Sequence, residues 1–288
     1  GFTTTSSSVV FVATGDNGEI LRSTNKGSSF DNATSPTGNR LRGVTFGNDI
    51  ISAGGVSGNI VRSTDNGSSF DNVTSPTSSN LNGFSFGNDI FVAVGNSGNI
   101  LRSTDNGSTF DNVTSPTGKN LFGVTFGNDI FLGVGQSGNI VRSTDNGSSW
   151  DNTTSPTGNN LRSIEFGNDI FVAVGVSGNI VRSTDNGSTF DNVTSPTGNN
   201  LFGVTFGNDI FVAVGNSGNI LRSTDNGSTF DNVTSPTGKN LFGVTFGNDI
   251  FLGVGQSGNI VRSTDNGSSF DNATSPTGTT LYGVSFSE

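Results

Sequence analysis

Carboxylates and guanidinium groups recur along this chain at a fixed interval, and the interval limits the chemistry they can do. The string Ser-Thr-Asp-Asn-Gly-Ser-Ser/Thr-aromatic returns every 40 residues, from Ser63 to Phe70 in one copy and from Ser143 to Trp150 in another. Its acidic position is Asp65, Asp105, Asp145, Asp185, Asp225 and Asp265, with Asn25 in the first copy. One arginine precedes each copy: Arg22, Arg62, Arg102, Arg142, Arg182, Arg222 and Arg262. Glycoside cleavage needs two carboxylates in unlike surroundings on either side of one bond. Equivalent aspartates in equivalent turns supply no such inequality. Asp-Asn-Gly is also half of a calcium loop, but the full loop adds carboxylates and a bidentate glutamate, and no glutamate stands nearby. The chain has no histidine and no cysteine. The commonest general base and zinc ligand are therefore missing, and disulfides are excluded. We expect no catalytic residue, no metal and no cofactor.

The seven aspartate or asparagine positions read as turn-holding groups. Asp and Ser side chains bond the N–H groups of a turn, glycine supplies positive φ, and the aromatic anchors the turn in the core. In the first copy Asn25-Lys26 replaces Asp-Asn, which predicts a looser turn in which Asn25 still bonds locally. The seven arginines read as structural partners of carboxylates or carbonyls.

Such a period means a repeat architecture. Within it lie four short strands. Leu41-Arg42-Gly43-Val44-Thr45-Phe46 is β-prone, and Gly47-Asn48-Asp49 is turn chemistry. Ile90-Phe91-Val92-Ala93-Val94 suits a strand covered on both faces. Ile100 to Thr104 and Thr109 to Val113 follow, and Pro116 ends pairing. Four strands per repeat match a blade of a β-propeller. The expected fold is all-β: a seven-bladed β-propeller of four-stranded antiparallel blades. Seven repeats fill 7–286 of the 288 residues, and we expect one domain over 1–288. Six blades run in sequence order from Leu41. The seventh takes its outer strands from about Val9 to Thr34 and its inner strand from Leu281-Tyr282-Gly283-Val284-Ser285-Phe286, which closes the ring. A competing arrangement has Gly1-Phe2-Thr3 fill part of that place. A closed ring leaves no inner edge unpaired, so a monomer is expected.

The recurring turn is similar to the Asp-box, or bacterial neuraminidase repeat. The wider pattern Gly-x-Ser-Gly-Asn-Ile-Leu/Val-Arg-Ser-Thr-Asp-Asn-Gly-Ser-Thr-Phe resembles the propellers of photosystem II assembly and stability factors. That resemblance implies a propeller and a role in assembly or partner binding. Asp-boxes also occur in sialidases, and a sialidase would require clustered arginines on a substrate carboxylate, a tyrosine nucleophile with a glutamate partner, and an aspartate acid/base. The chain has one tyrosine, Tyr282, and three glutamates, Glu19, Glu165 and Glu288. Tyr282 and Glu165 fall on inner strands of different blades, and the arginines are spread evenly.

Differences between copies carry more information than their agreement, because residues 87–149 recur unchanged at 207–269. The residue after the inner strand's leucine varies: Arg42, Asn82, Phe122, Arg162, Phe202, Phe242, Tyr282. So does the turn after the second strand (Asp16, Val56, Asn96, Gln136) and the turn entering the inner strand (Asn39-Arg40, Ser79-Asn80, Lys119-Asn120). In an up-and-down blade these places share one end, opposite the Asp-Asn-Gly turns. We therefore expect a ligand or partner site at that mouth of the central channel, with the seven varied residues as contacts. Ser163 and Glu165 make the Leu161 blade the most individual.

Net charge is −10, which disfavours nucleic acid and anionic membrane surfaces. No apolar run approaches the ~20 residues that cross a bilayer, so membrane insertion is not expected. Protein or glycan partners fit, localisation is open, and the expected function is a non-catalytic binding scaffold. A lectin-like propeller, a sialidase-type hydrolase and a designed or recently amplified repeat without an evolved ligand are the alternatives.

Overall fold

Three turns shape each repeat. In the computed structural model, which describes residues 9–287, Leu81–Gly87 pairs with Ile90–Gly95 and sets Gly87 opposite Ile90. Asn88 and Asp89 alone connect them, with φ of 49° and 62°. This is a two-residue hairpin with the left-handed geometry that matches strand twist and that Asn and Asp tolerate. A single 3-10 turn, Asn96–Gly98, leads to the third strand, Ile100–Ser103. The fourth strand is Asp111–Val113, shorter than the expected start at Thr109. Thr109 cannot join it, because its N–H and hydroxyl both donate to Asp105, at 2.9 and 2.7 Å.

These strands make seven four-stranded antiparallel sheets among the described residues. Each inner strand touches those of both neighbouring blades, and Leu281–Ser287 touches Leu241–Gly247 on one side and Leu41–Gly47 on the other. The wheel is therefore closed. Its closing blade joins Leu281–Ser287 to Val10–Gly15, Ile20–Ser23 and Asp31–Asn32. The pairing of Phe11 with Phe286 and Ala13 with Val284 repeats the register of the other blades. The expectation for Gly1-Phe2-Thr3, and for residues 1–6 generally, falls outside the described residues.

The core is divided among the seven blade interfaces. Ile90, Val92, Val94, Leu121, Phe131, Val141 and Trp150, drawn from two adjacent blades, form one of seven such clusters. Phe91, Phe131, Phe171, Phe211 and Phe251 are fully buried. Each buried side chain of this size contributes roughly 1.5–3 kcal/mol.

Polar links bind blade to blade as well. Every one of the seven arginines donates from Nε to a carbonyl in the next blade's Asp-Asn-Gly turn. Arg62 reaches Asn106 at 2.7 Å, and Arg262 closes the circle at Lys26, 2.6 Å. The Asn-Asp hairpins add a second girdle: Asn48 Nδ2 donates to Asp89 at 2.8 Å and to Asn106 at 3.1 Å. Inside each turn the bonds are those the residue types dictate. Ser63 Oγ donates to Asp65 (2.8 Å) and accepts from Gly67 N (2.9 Å), while Asp65 accepts the Ser69 N–H and hydroxyl. Burial opposes ionisation of Asp65, but the bonds from Ser69, Ser63 and Ser68 prevail and lower its pKa. At Asp265 the Ser269 hydroxyl and N–H, against burial, hold the carboxyl down to about 2.

The first turn corrects one expectation. Asn25 keeps the same bonds, with Ser23 Oγ at 2.9 Å and Ser29 N at 3.1 Å, and the turn is as fully bonded as the others. Its amide nitrogen donates to Ser29 Oγ (2.8 Å), reversing the direction of one bond without losing it.

Candidate functional site at the channel mouth

Every inner strand carries a β-bulge one residue after its first leucine. Leu121 pairs with Gly135 and Gly123 with Val134, so Phe122 stands unpaired between them. The same shift skips Arg42, Asn82, Arg162, Phe202, Phe242 and Tyr282. A bulge re-aims its residue. Here it leaves all seven varied residues, together with Arg40, lining one cavity of about 310 Å³ at the channel mouth. The glycine that follows the bulge has a packing reason: a Cβ on Gly43 would meet the Phe84 ring and the next inner strand's backbone.

The sites are equivalent in backbone but not in chemistry. Phe202 and Phe242 pack at 5.2 Å between ring centroids, and Phe242 stacks on Tyr282 at 5.2 Å and 29°. This makes an aromatic arc over three consecutive blades. Arg40 lies 4.9 Å above the Tyr282 ring and pairs with Asp16, to which the Tyr282 hydroxyl also donates at 3.4 Å. On the next blade, Arg42 donates to Asn82 Oδ1 at 2.7 Å, and Asn82 is fixed in turn by Asn96 and the Leu121 carbonyl. Arg162 lies 4.4 Å above the Phe122 ring. Its Nε is buried without a hydrogen-bond partner among the described residues. Burial lowers the pKa of both guanidinium groups; Arg40 adds to the effect at Arg42. Both nonetheless carry charge at any ordinary pH.

Charge is unevenly divided between the two ends. Arg40, Arg42, Lys119, Arg162 and Lys239 belong to the mouth and its entering loops, against Asp16 and Glu19. At the other end six hairpin aspartates, Asp49 to Asp249, and six turn aspartates, Asp65 to Asp265, outnumber Lys26 and the seven arginines that reach those turns. A chain of charge −10 thus presents a mouth with more cations than anions.

Tyr282 and Glu165 are not brought together. Tyr282 lines the mouth, while Glu165 lines a separate cavity toward the hairpin end. Sequence reasoning named Arg40 and Asp16 as variable turn positions without assigning them to the site. Their opposite charges at one end were the available signal. Another cavity, of about 500 Å³, lies between two blades at the rim, lined by Arg62, Pro76 and Phe110 among others. It is built from repeated positions and gathers no unusual chemistry.

No protein-family model and no curated relative matches the chain. Solved structures do. A structure described as YCF48 bound to D1 peptide matches with a TM-score of 0.65 at 18% identity, over 81% of this chain and 80% of that one. YCF48 from Cyanidioschyzon merolae matches with a TM-score of 0.66 at 18% identity, over 84% and 88%. A chain of a nidogen/laminin complex matches with a TM-score of 0.64 at 12% identity, over 83% and 98%. At these identities the likeness is one of fold, and the chain is a seven-bladed β-propeller.

Proposed function

We propose that this propeller is a non-catalytic scaffold that docks a protein segment at the channel mouth, and that the segment carries acidic groups beside an apolar or aromatic side chain. One observation carries the reading: in the ring of bulge residues that lines the mouth, Arg162 Nε is buried and has no hydrogen-bond partner among the described residues. A buried donor left unmade costs about 1–3 kcal/mol, and a turn of the Arg162 side chain would let a carboxylate entering the mouth recover it. The Phe202–Phe242–Tyr282 arc offers the apolar contact, and aromatics with arginine are favoured at binding hot spots. A structural neighbour solved with a D1 peptide gives peptide binding a precedent on the same fold.

We read the recurring turn as an Asp-box used for scaffolding, and residues 1–288 as one domain acting as a monomer. A glycan is the second reading, favoured by the same aromatic arc, whose flat faces suit stacking on a sugar.

The test is a peptide array graded in acidic and aromatic content, run beside a glycan array. Wild type is compared with Arg42→Ala, Arg162→Ala and Phe242→Ala. Acidic aromatic peptides are expected to bind, and each variant should weaken them tenfold or more. Binding that ignores all three substitutions would refute the site, and binding confined to the glycan array would replace the peptide with a sugar.

A further inference from the structure

One position of the inner strand forms a second ring, distinct from the mouth. It reads Thr45, Ser85, Thr125, Glu165, Thr205, Thr245 and Ser285. All seven line a cavity of about 240 Å³ toward the hairpin end of the channel. Six are neutral hydroxyls and one is a carboxylate. Glu165 Oε1 accepts from the Phe166 N–H at 2.9 Å and from Thr125 Oγ1 at 3.3 Å. No hydrogen bond from the described residues reaches Oε2. No cation faces it either: Arg162 of the same strand ends at the mouth, and the one ion pair among the described residues is Arg40 with Asp16. A half-buried carboxylate lining the channel without a counter-charge is costly.

We infer that this ring is a binding site for a primary ammonium group, held by Glu165 with hydroxyls of its ring neighbours Thr125 and Thr205. Charge decides against a divalent metal, since one carboxylate would leave an uncompensated positive charge inside the channel. Size decides against a bare alkali ion. A cavity of about 240 Å³ has room for several waters and is too wide for the ring to surround one small ion. An ammonium group has three donors and needs three acceptors on one side only, which neighbouring blades present. Burial pushes the Glu165 carboxyl up to about 7 against the opposing bonds from Phe166 and Thr125, and an adjacent cation would reverse that push. The site goes beyond the mouth reading and does not depend on it.

The probes are butylammonium and Nα-acetyl-lysine methylamide, with butanol and Nα-acetyl-norleucine methylamide as uncharged counterparts. They are titrated calorimetrically at about pH 8, above the Glu165 pKa, into wild type, Glu165→Gln and Glu165→Thr. The threonine variant restores the residue found at Thr125 and Thr205 and keeps the ring foldable. Saturable binding of one amine per chain by wild type is expected, weakened at least tenfold in both variants, with no binding of the uncharged pair. Tighter binding of the lysine amide points to a partner's lysine, and equal binding points to a free amine. Wild type that binds no amine, variants that bind it equally well, or sodium or potassium binding with the same Glu165 dependence in place of amine would each overturn the assignment.

Discussion

The two ends of the wheel are built on the same strands and obey different rules. At the hairpin end, seven turns repeat one bonding scheme, and even Asn25 in place of aspartate reproduces it with one bond reversed. At the mouth, seven equivalent backbone positions carry arginine, asparagine, phenylalanine and tyrosine, joined by a hydrogen bond at one place, a cation–π contact at another and ring stacking at a third. Repetition is what a closed ring needs, because every blade must present the same faces to its neighbours. Departure from repetition is what recognition needs. In this molecule the two demands are separated by the length of a strand.

The comparison is most severely tested by opening the ring. Removing Leu281–Ser287 strips the inner strand from the closing blade and exposes the cluster of Phe11, Leu21 and Leu252. Loss of the cooperative thermal transition is expected by circular dichroism. A chain that still melts sharply would show that the blades do not depend on closure. Next in size, Phe211→Ala empties a fully buried site at a blade interface and should cost about 3–5 kcal/mol in denaturant unfolding. Phe242→Ala at the mouth, by contrast, should cost less than about 1 kcal/mol. Equal costs would erase the distinction between the ends.

Smaller effects sharpen it. Glu165 has a folded pKa of about 7, above its ordinary 4.5. The folded state therefore binds the extra proton, and stability falls as pH rises from about 4.5 through 7. Glu165→Thr should gain roughly 1–3 kcal/mol at pH 8, the lower figure allowing for water in the channel, and nothing at pH 4. A gain that does not change with pH would contradict a raised Glu165 pKa. Ser63→Ala removes the acceptor of the buried Gly67 N–H and should cost about 1–2 kcal/mol. Asn25→Asp should stay within about 0.5 kcal/mol. A larger change would show that the first turn is not interchangeable with the rest. Asp265 has the opposite sign from Glu165. Its depressed pKa adds stability that is present above about 3.8 and is lost as pH falls toward 2.

Much of the fold was legible because its signals are local and repeated. Asn-Asp and Asp-Asn-Gly dictate their own turns, apolar runs such as Ile90 to Val94 mark the buried strand, and the unmatched Leu281 segment predicts how the ring closes. The mouth was legible as a list of variable positions on one end. Its chemistry was not. The bulge that turns Phe122 and its equivalents toward the channel comes from strand pairing, which a local reading does not register. Arg162 meets Phe122 only because adjacent blades bring residues one repeat apart into contact. Glu165 stood out in the sequence as a mark of its blade, but not as the one carboxylate in a ring of six hydroxyls drawn from the other blades. The shortened fourth strand was missed for a related reason: Thr109 is β-prone by type, yet the aspartate four residues earlier claims both of its donors.

The bulge also governs how this surface can change. Because the displaced residue takes no part in strand pairing, its identity is free of the hydrogen-bonding register that fixes its neighbours. Seven such positions face one another around a single opening, each on a different blade and each open to substitution alone. The mouth therefore works as a seven-place combination whose settings can be altered one at a time while the frame behind them stays the same.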